Sequence, residues 1–337
     1  MTAFLLILLS VILSRQSIVA NSAALYAFGD STTDVGNNNF LPGAPKANFL
    51  PYGIDYPGRT PTGRFTNGFN SVDYVAQAMG LATSPPPFLA VSSGVQMTKG
   101  VNFASAGAGI LDSTGRGVIS LSAQIRDFER VASELRTRMG NQTASAFLAE
   151  SLFFFRVGSN DLFLQSSFGR PKDQIVATVI SKFRDQLKTL YDLGARKFAV
   201  IGTGLIGCTP DRRSSTPSGD CNQDLNDLSL RFKTATKALL EELSISLQGF
   251  KYSFGDLYEI TARVFSNPLA FGFSEVKAAC CSPCTASSTY CRDRGQYFFW
   301  DGVHSTQAAY KVTVEMSFRG TPLFASPINM ETLVNTT

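Results

Sequence analysis

Short apolar runs alternate along this chain with longer stretches of helical period, and that alternation predicts an α/β fold. Five runs rich in β-branched or aromatic residues are flanked by glycine or polar turns: Leu25–Phe28, Gly100–Ala104, Leu152–Val157, Lys197–Ile201 and Lys251–Phe254. They read as strands. Between them, residues 69–79 bring Val72, Val75, Ala76 and Met79 to one helical face, and residues 121–139 do so with Leu121, Ile125, Phe128, Val131 and Leu135. Residues 174–193, 223–246 and 305–318 carry the same period. Strands alternating with helices predict a parallel sheet, here five-stranded, covered on both faces. Near-continuous apolar strands such as Leu152–Phe155 fit burial from both sides.

Three segments break the pattern. Residues 36–68, 83–99 and 203–222 are rich in Gly, Pro or polar residues and read as excursions over the rim of the sheet, where substrate loops belong. No linker of disordered composition divides the chain. Residues 24–325 are therefore expected to form one domain, with 326–337 as a loose tail.

Composition narrows the function classes. Of 337 residues 44% are hydrophobic and 17% charged, which supports a large core. The net charge of +4 is mild and Lys and Arg are scattered, so nucleic-acid binding has no electrostatic footprint. The apolar run Phe4–Leu13 is too short to span a membrane, which takes about 20 residues. It suits the core of a secretory signal peptide over residues 1–23, with small residues at Ala20, Ser22, Ala23 and Ala24 for cleavage, although Arg15 follows the run instead of a cation preceding it. Stable membrane insertion is not expected, and the oligomeric state is left open. An even cysteine count in an exported chain favours disulfides. Cys208 with Cys221 is the favoured first pair, with two bridges among Cys280, Cys281, Cys284 and Cys291 and none between the neighbours Cys280 and Cys281. Asn141 and Asn335 head Asn-x-Thr sequons for glycosylation.

The candidate chemistry starts from a single residue. His304 is the sole histidine, so any imidazole base must be this one. Asp301 stands three positions before it, close enough to turn back to Nδ1–H, fix the tautomer and stabilise the imidazolium. Phe28-Gly29-Asp30-Ser31 follows the first strand and puts a serine at a strand's carboxyl end, where open α/β sheets bind ligands. Ser31 is read there as the start of a helix, near its partial positive charge. The segment carrying Gly107 follows the second strand and Gly158-Ser159-Asn160-Asp161 follows the third. A parallel sheet brings all three strand ends to one edge. A nucleophile, a backbone N–H and a side-chain amide are the parts of an oxyanion site.

These blocks resemble a known family. Gly29-Asp30-Ser31-x-x-Asp34-x-Gly36-Asn37, Gly107, Gly158-Ser-Asn160-Asp161 and Asp301-x-x-His304 occur in the order of the GDSL-type, or SGNH, hydrolases. Spacing, the N-terminal segment and the region of Cys280 and Cys281 look most like the plant secreted GDSL esterase/lipase branch, and the likeness runs from about Leu25 to Phe318. The resemblance implies a three-layer α/β/α sandwich of flavodoxin type, secreted to the extracellular space or cell wall. It implies a carboxylic ester hydrolase with Ser31 as nucleophile, His304 as base and Asp301 as its partner. The Ser31 N–H, the Gly107 N–H and the Asn160 amide would be oxyanion donors, and no cofactor or metal is expected. Thr32 stands where the family's name has leucine.

Rival readings are a silent lipid- or carbohydrate-binding protein on the same scaffold and a metal-dependent phosphoesterase, for which one histidine is a poor start. Gly202-Thr-Gly204-Leu-Ile-Gly207 matches a dinucleotide fingerprint but runs into Cys208-Thr-Pro210, not into a helix that could hold a pyrophosphate. A Gly-x-Ser-x-Gly elbow of the α/β-hydrolase kind is missing at the nucleophile. Which ester is cleaved stays open between acyl lipid, cutin-type polyester, acetylated polysaccharide and phenolic ester.

Overall fold

The computed structural model describes residues 23–91 and 94–336, so all but Ala23 of the expected signal peptide lies outside the described residues. Its centre is a sheet built from β1 (Leu25–Gly29), β2 (Gly100–Asn102), β3 (Leu152–Arg156), β4 (Lys197–Ile201) and β5 (Lys251–Gly255). Their spatial order is β2-β1-β3-β4-β5, all parallel. The helices of six residues or more are α1 (Ser71–Ala78), α2 (Leu121–Met139), α3 (Asn141–Glu150), α4 (Ser159–Ser166), α5 (Lys172–Asp192), α6 (Gln223–Ser246), α7 (Leu257–Ser266), α8 (Gln307–Arg319) and α9 (Met330–Asn335).

Period-two alternation in the strands feeds two apolar layers. Tyr26, Phe28, Phe153, Phe155, Phe198 and Val200 face α2, α5 and α6, among residues such as Phe128, Phe183 and Phe232. Leu25, Ala27, Leu152, Phe154, Ala199 and Ile201 face α1, α7, α8 and α9, among Val75, Ile260, Val314 and Leu333. Phe28 and Phe155 are direct register partners, stacked at 5.0 Å, and Phe103 stacks on the other side of Phe28 at 5.0 Å. Such cross-strand aromatic pairs stabilise both sheet and register.

The sheet corrects two expectations. It has six strands, not five: β8 (Ala325–Pro327) pairs antiparallel with β5 and closes that edge. Of the tail expected over 326–337, the described residues 326–336 are not loose, because β8 is followed by α9, whose Met330 and Leu333 are fully buried beneath the sheet. A separate small sheet pairs β6 (Glu275–Ala279) with β7 (Tyr297–Phe299).

The disulfides are Cys208–Cys221, Cys280–Cys291 and Cys281–Cys284. Cys280 and Cys281 join Ala47, Tyr52, Phe65 and Trp300 in a third apolar cluster, which holds the 36–68 excursion down beside the sheet edge. Arg64 adds a buried bidentate pair with Asp73 of α1, at 2.7 and 2.8 Å. Among the described residues, no helix is long and apolar enough to cross a membrane.

Candidate active site

Three neighbouring strands deliver the site. β1 ends at Gly29, whose φ of 152° suits glycine, and where a Cβ would lie 2.3 Å from the Arg156 carbonyl oxygen of β3. The chain then turns through Asp30 and Ser31, with the Thr33 and Asp34 N–H groups donating to the Asp30 carbonyl. That is an isolated turn, so Ser31 does not open a helix as its sequence context suggests, and no macrodipole acts on it from there. The helix end at the site belongs instead to α4, with Gly158 before its first residue and Asn160 in its first turn.

Ser31 Oγ lies 2.8 Å from His304 Nε2. The other ring nitrogen, Nδ1, lies 2.9 and 2.8 Å from the two carboxylate oxygens of Asp301. Asp301 also accepts from the backbone N–H groups of Val303 and His304, at 3.0 and 2.7 Å, so the turn that joins the pair also orients it. Burial works to raise the Asp301 carboxyl, but the His304 charge, its hydrogen bond and those two N–H groups outweigh it and hold the carboxyl down at about 2. Burial likewise works to lower His304, and the Asp301 charge and hydrogen bond overcome it, so the imidazole is raised from its ordinary value.

The two loops that face Ser31 are held by buried carboxylates. Asp34 accepts from the N–H groups of Gly36 (2.7 Å), Asn37 (2.8 Å) and Ala106 (3.0 Å), which ties the turn after β1 to the loop after β2. Asp161 accepts from Ile110 N–H (2.8 Å), Leu111 N–H (2.9 Å) and Thr114 Oγ1 (2.7 Å), which ties that loop to α4. Burial pushes both carboxyls up to about 6, against those hydrogen bonds. Gly107 sits between the clamps at φ 89°. Among the described residues the N–H groups of Ser31 and Gly107 have no protein acceptor. Asn160 Nδ2 donates to the Ala108 carbonyl at 2.9 Å, which leaves its second hydrogen free.

Ser31, Asn160 and His304 line a cavity of about 330 Å³ with apolar walls from Phe163, Leu205, Ile206, Leu257, Phe265 and Phe298, and with Arg156 and Arg212. Asn160 also borders an adjoining recess next to Gly107. Gly202 and Gly204, of the dinucleotide-like run, are part of the cavity wall. No cluster of three His, Cys, Asp or Glu side chains that could hold a metal ion occurs among the described residues. Asn141 begins α3 and is exposed, as is Asn335 at the end of α9.

Sequence reading missed two neighbours of the pair. Tyr52 Oη donates to Asp301 Oδ2 at 2.8 Å, and the Phe65 ring packs against His304 with centroids 5.0 Å apart. Both belong to the Pro- and Gly-rich excursion, whose irregular pattern carries no signal for them. Tyr52→Phe removes one hydrogen bond to a charged acceptor and is expected to lower kcat/KM roughly 10-fold, or about 1.5 kcal/mol. Steady-state rates beside a melting curve check this, and an unchanged kcat/KM would reduce Tyr52 to packing.

Comparison with known proteins agrees with this architecture. Residues 25–316 match the family model described as GDSL-like Lipase/Acylhydrolase. An Arabidopsis thaliana GDSL esterase/lipase is 38% identical over 98% of this chain and 96% of its own. A second from the same plant is 38% identical over 96% of this chain and 92% of its own, and a third is 36% identical over 93% and 85%. With the family model spanning nearly the whole sheet and its site, the chain belongs to the GDSL-like lipase/acylhydrolase family of carboxylic ester hydrolases.

Proposed function

We propose that this chain is a secreted serine esterase that hydrolyses carboxylic esters through an acyl-enzyme on Ser31. The observation that carries the reading is the run of hydrogen bonds from Tyr52 through Asp301 and His304 to Ser31, with Asn160 lining the same cavity. Ser31 Oγ attacks the ester carbonyl carbon while His304 Nε2 takes its proton. Negative charge moves to the carbonyl oxygen and is met by the Ser31 and Gly107 N–H groups and the Asn160 amide. The intermediate collapses, the acyl C–O bond breaks, and His304 returns its proton to the leaving alkoxide. Water, deprotonated by the same imidazole, then attacks the acyl-enzyme carbonyl; the acyl C–Oγ bond breaks, His304 returns the proton to Ser31 Oγ, and the carboxylic acid leaves. Asp301 holds the imidazolium and is not protonated. No metal or nucleotide enters this scheme, since an imidazole supplies the base and the protein's own N–H groups the electrophilic help. Secretion is supported by the three disulfides, which persist in oxidising compartments.

Treatment with a fluorophosphonate tests the scheme. Intact mass should rise by one adduct, peptide mapping should place it on Ser31, and Ser31→Ala should remain unlabelled. Equal labelling of that variant would mean another nucleophile. No labelling of the native chain would favour the silent binding protein.

A further inference from the structure

The cavity is lined by two arginines, each with a buried nitrogen that has no hydrogen-bond partner among the described residues. Arg156 is the last residue of β3 and is only 8% exposed. Its guanidinium lies over the Tyr310 ring of α8 at 5.1 Å, and its buried Nη1 has no hydrogen-bond partner among the described residues. Asp30 is close enough to act on it, yet Asp30 Oδ1 accepts from Thr32 N–H (2.9 Å) and Thr32 Oγ1 (2.7 Å) instead. Arg212 lies over the Phe163 ring at 4.6 Å, and its buried Nε has no partner either. Both arginines line the cavity that contains Ser31.

A guanidinium removed from water without a counter-charge is among the costliest groups a fold can hold. The hydrolytic scheme for a neutral ester gives neither arginine a task. The other charges lining the cavity are Asp30 and the His304 ring, the latter paired with Asp301. With a neutral imidazole, Asp30 and Asp301 match the two guanidiniums in number, but the carboxyls spend their hydrogen bonds on Thr32, His304, Val303 and Tyr52 and accept none from either arginine. A planar guanidinium matches a carboxylate through paired N–H···O bonds, and such charge-assisted bonds strengthen away from water. The apolar side chains that line the same cavity, among them Phe163, Leu257 and Phe298, suit a methylene chain.

We propose that this cavity selects esters bearing a free carboxylate, the monoesters of dicarboxylic acids, with Arg156 as the specificity-determining cation and Arg212 supporting it. The proposal rests on the reading of Ser31 as the ester-cleaving nucleophile. Hydrolysis adds water across the acyl C–O bond and releases the alcohol and the dicarboxylic acid. The distal carboxylate takes no part in the bond changes; it is the handle.

The test compares monomethyl adipate with methyl hexanoate, which has the same acyl length and lacks the charge. The native enzyme should prefer the adipate ester in kcat/KM by about tenfold or more, the scale of one charge-assisted hydrogen-bonded pair. Arg156→Gln should bring that ratio close to one, and Arg156→Lys should restore part of it, since the charge returns without the fork. A purely structural role would lower both rates together and leave the ratio standing, which would overturn the proposal, as would a native enzyme with no preference. Titration calorimetry of the native protein with adipate and with hexan-1-ol, which has the same chain length and no carboxylate, decides the matter even where Arg156→Gln fails to fold or no ester is turned over. Adipate should bind about tenfold more tightly or better; equal or weaker binding overturns the proposal. Hexyl phosphate binding in preference to adipate would overturn the choice of carboxylate. Loss of fluorophosphonate labelling and of turnover on both esters would instead strike at the esterase reading, with the binding comparison still standing.

Discussion

Asp301→Asn is expected to lower kcat by roughly 10⁴-fold, the scale seen when a serine triad loses its carboxylate but keeps its shape. Asp301 is an acceptor at every contact: His304 Nδ1, the Val303 and His304 N–H groups, and Tyr52 Oη all point at its two oxygens. An amide has the same outline but offers N–H on one side. The two backbone N–H groups keep the amide oxygen at the Oδ1 position, so the amide nitrogen takes the Oδ2 position 2.8 Å from Nδ1, and the relief is for the imidazole to carry its proton on Nε2. The nitrogen facing Ser31 Oγ at 2.8 Å would then be a donor and could not take the serine proton. A pH profile gives a second readout. The base works only when neutral, so activity is lost as pH falls through the His304 value. Burial alone would lower that value, and the Asp301 charge outweighs it and raises the imidazole above 6.5. The acid limb of kcat/KM should therefore sit above 6.5 in the native enzyme and move to lower pH in Asp301→Asn. A folded variant within tenfold of native kcat and with an unmoved acid limb would remove Asp301 from the mechanism.

Asn160→Ala is expected to lower kcat by roughly 10²–10³-fold, or about 2.7–4 kcal/mol, with little change in KM. On the proposed scheme the amide's hydrogen bond strengthens as charge builds on the carbonyl oxygen, so its loss would be felt in the transition state more than in the bound ester. Its other hydrogen is committed to the Ala108 carbonyl at 2.9 Å, which ties α4 to the loop carrying Gly107. Truncation therefore also loosens that loop, at about 1 kcal/mol for one neutral hydrogen bond. Melting temperature separates the two effects. Asn160→Asp should be at least as damaging, because a carboxylate faces both the Ala108 carbonyl and the developing oxyanion without a donor for either. A folded Asn160→Ala with near-native kcat would demote the turn from Gly158 to Asp161 to a structural one.

The strands were legible wherever neighbouring residues settle the matter. Lys197–Ile201 coincides with its expected bounds, and the other four central strands end within two residues of theirs, because alternating aromatic and β-branched positions report burial on both faces. The Asp301–His304 pair was legible for the same reason, being three residues apart on one turn. That the segments carrying Ser31, Gly107 and Asn160 leave one edge of the sheet follows from parallel strand order alone. Local pattern failed where an element is short or irregular. β8 is three residues long, too short for a period, and becomes a strand only because β5 offers an unpaired edge. Ser31 looked like the start of a helix, but the chain leaves that path after one turn for the Asp34-centred network.

By itself, the sequence determined the α/β layering, one available imidazole and its carboxylate, and three loops bound for one sheet edge. All of these depend on short-range spacing or on strand order. The tertiary structure alone decided that Tyr52, 249 positions away, donates to Asp301, and that Asp34 and Asp161 are clamps. It also decided that Arg156, which reads as the end of an apolar strand, is a cation in the Ser31 cavity whose buried Nη1 has no hydrogen-bond partner among the described residues. Those facts depend on what irregular loops and distant elements leave in contact once packed, and no periodicity in the chain encodes that.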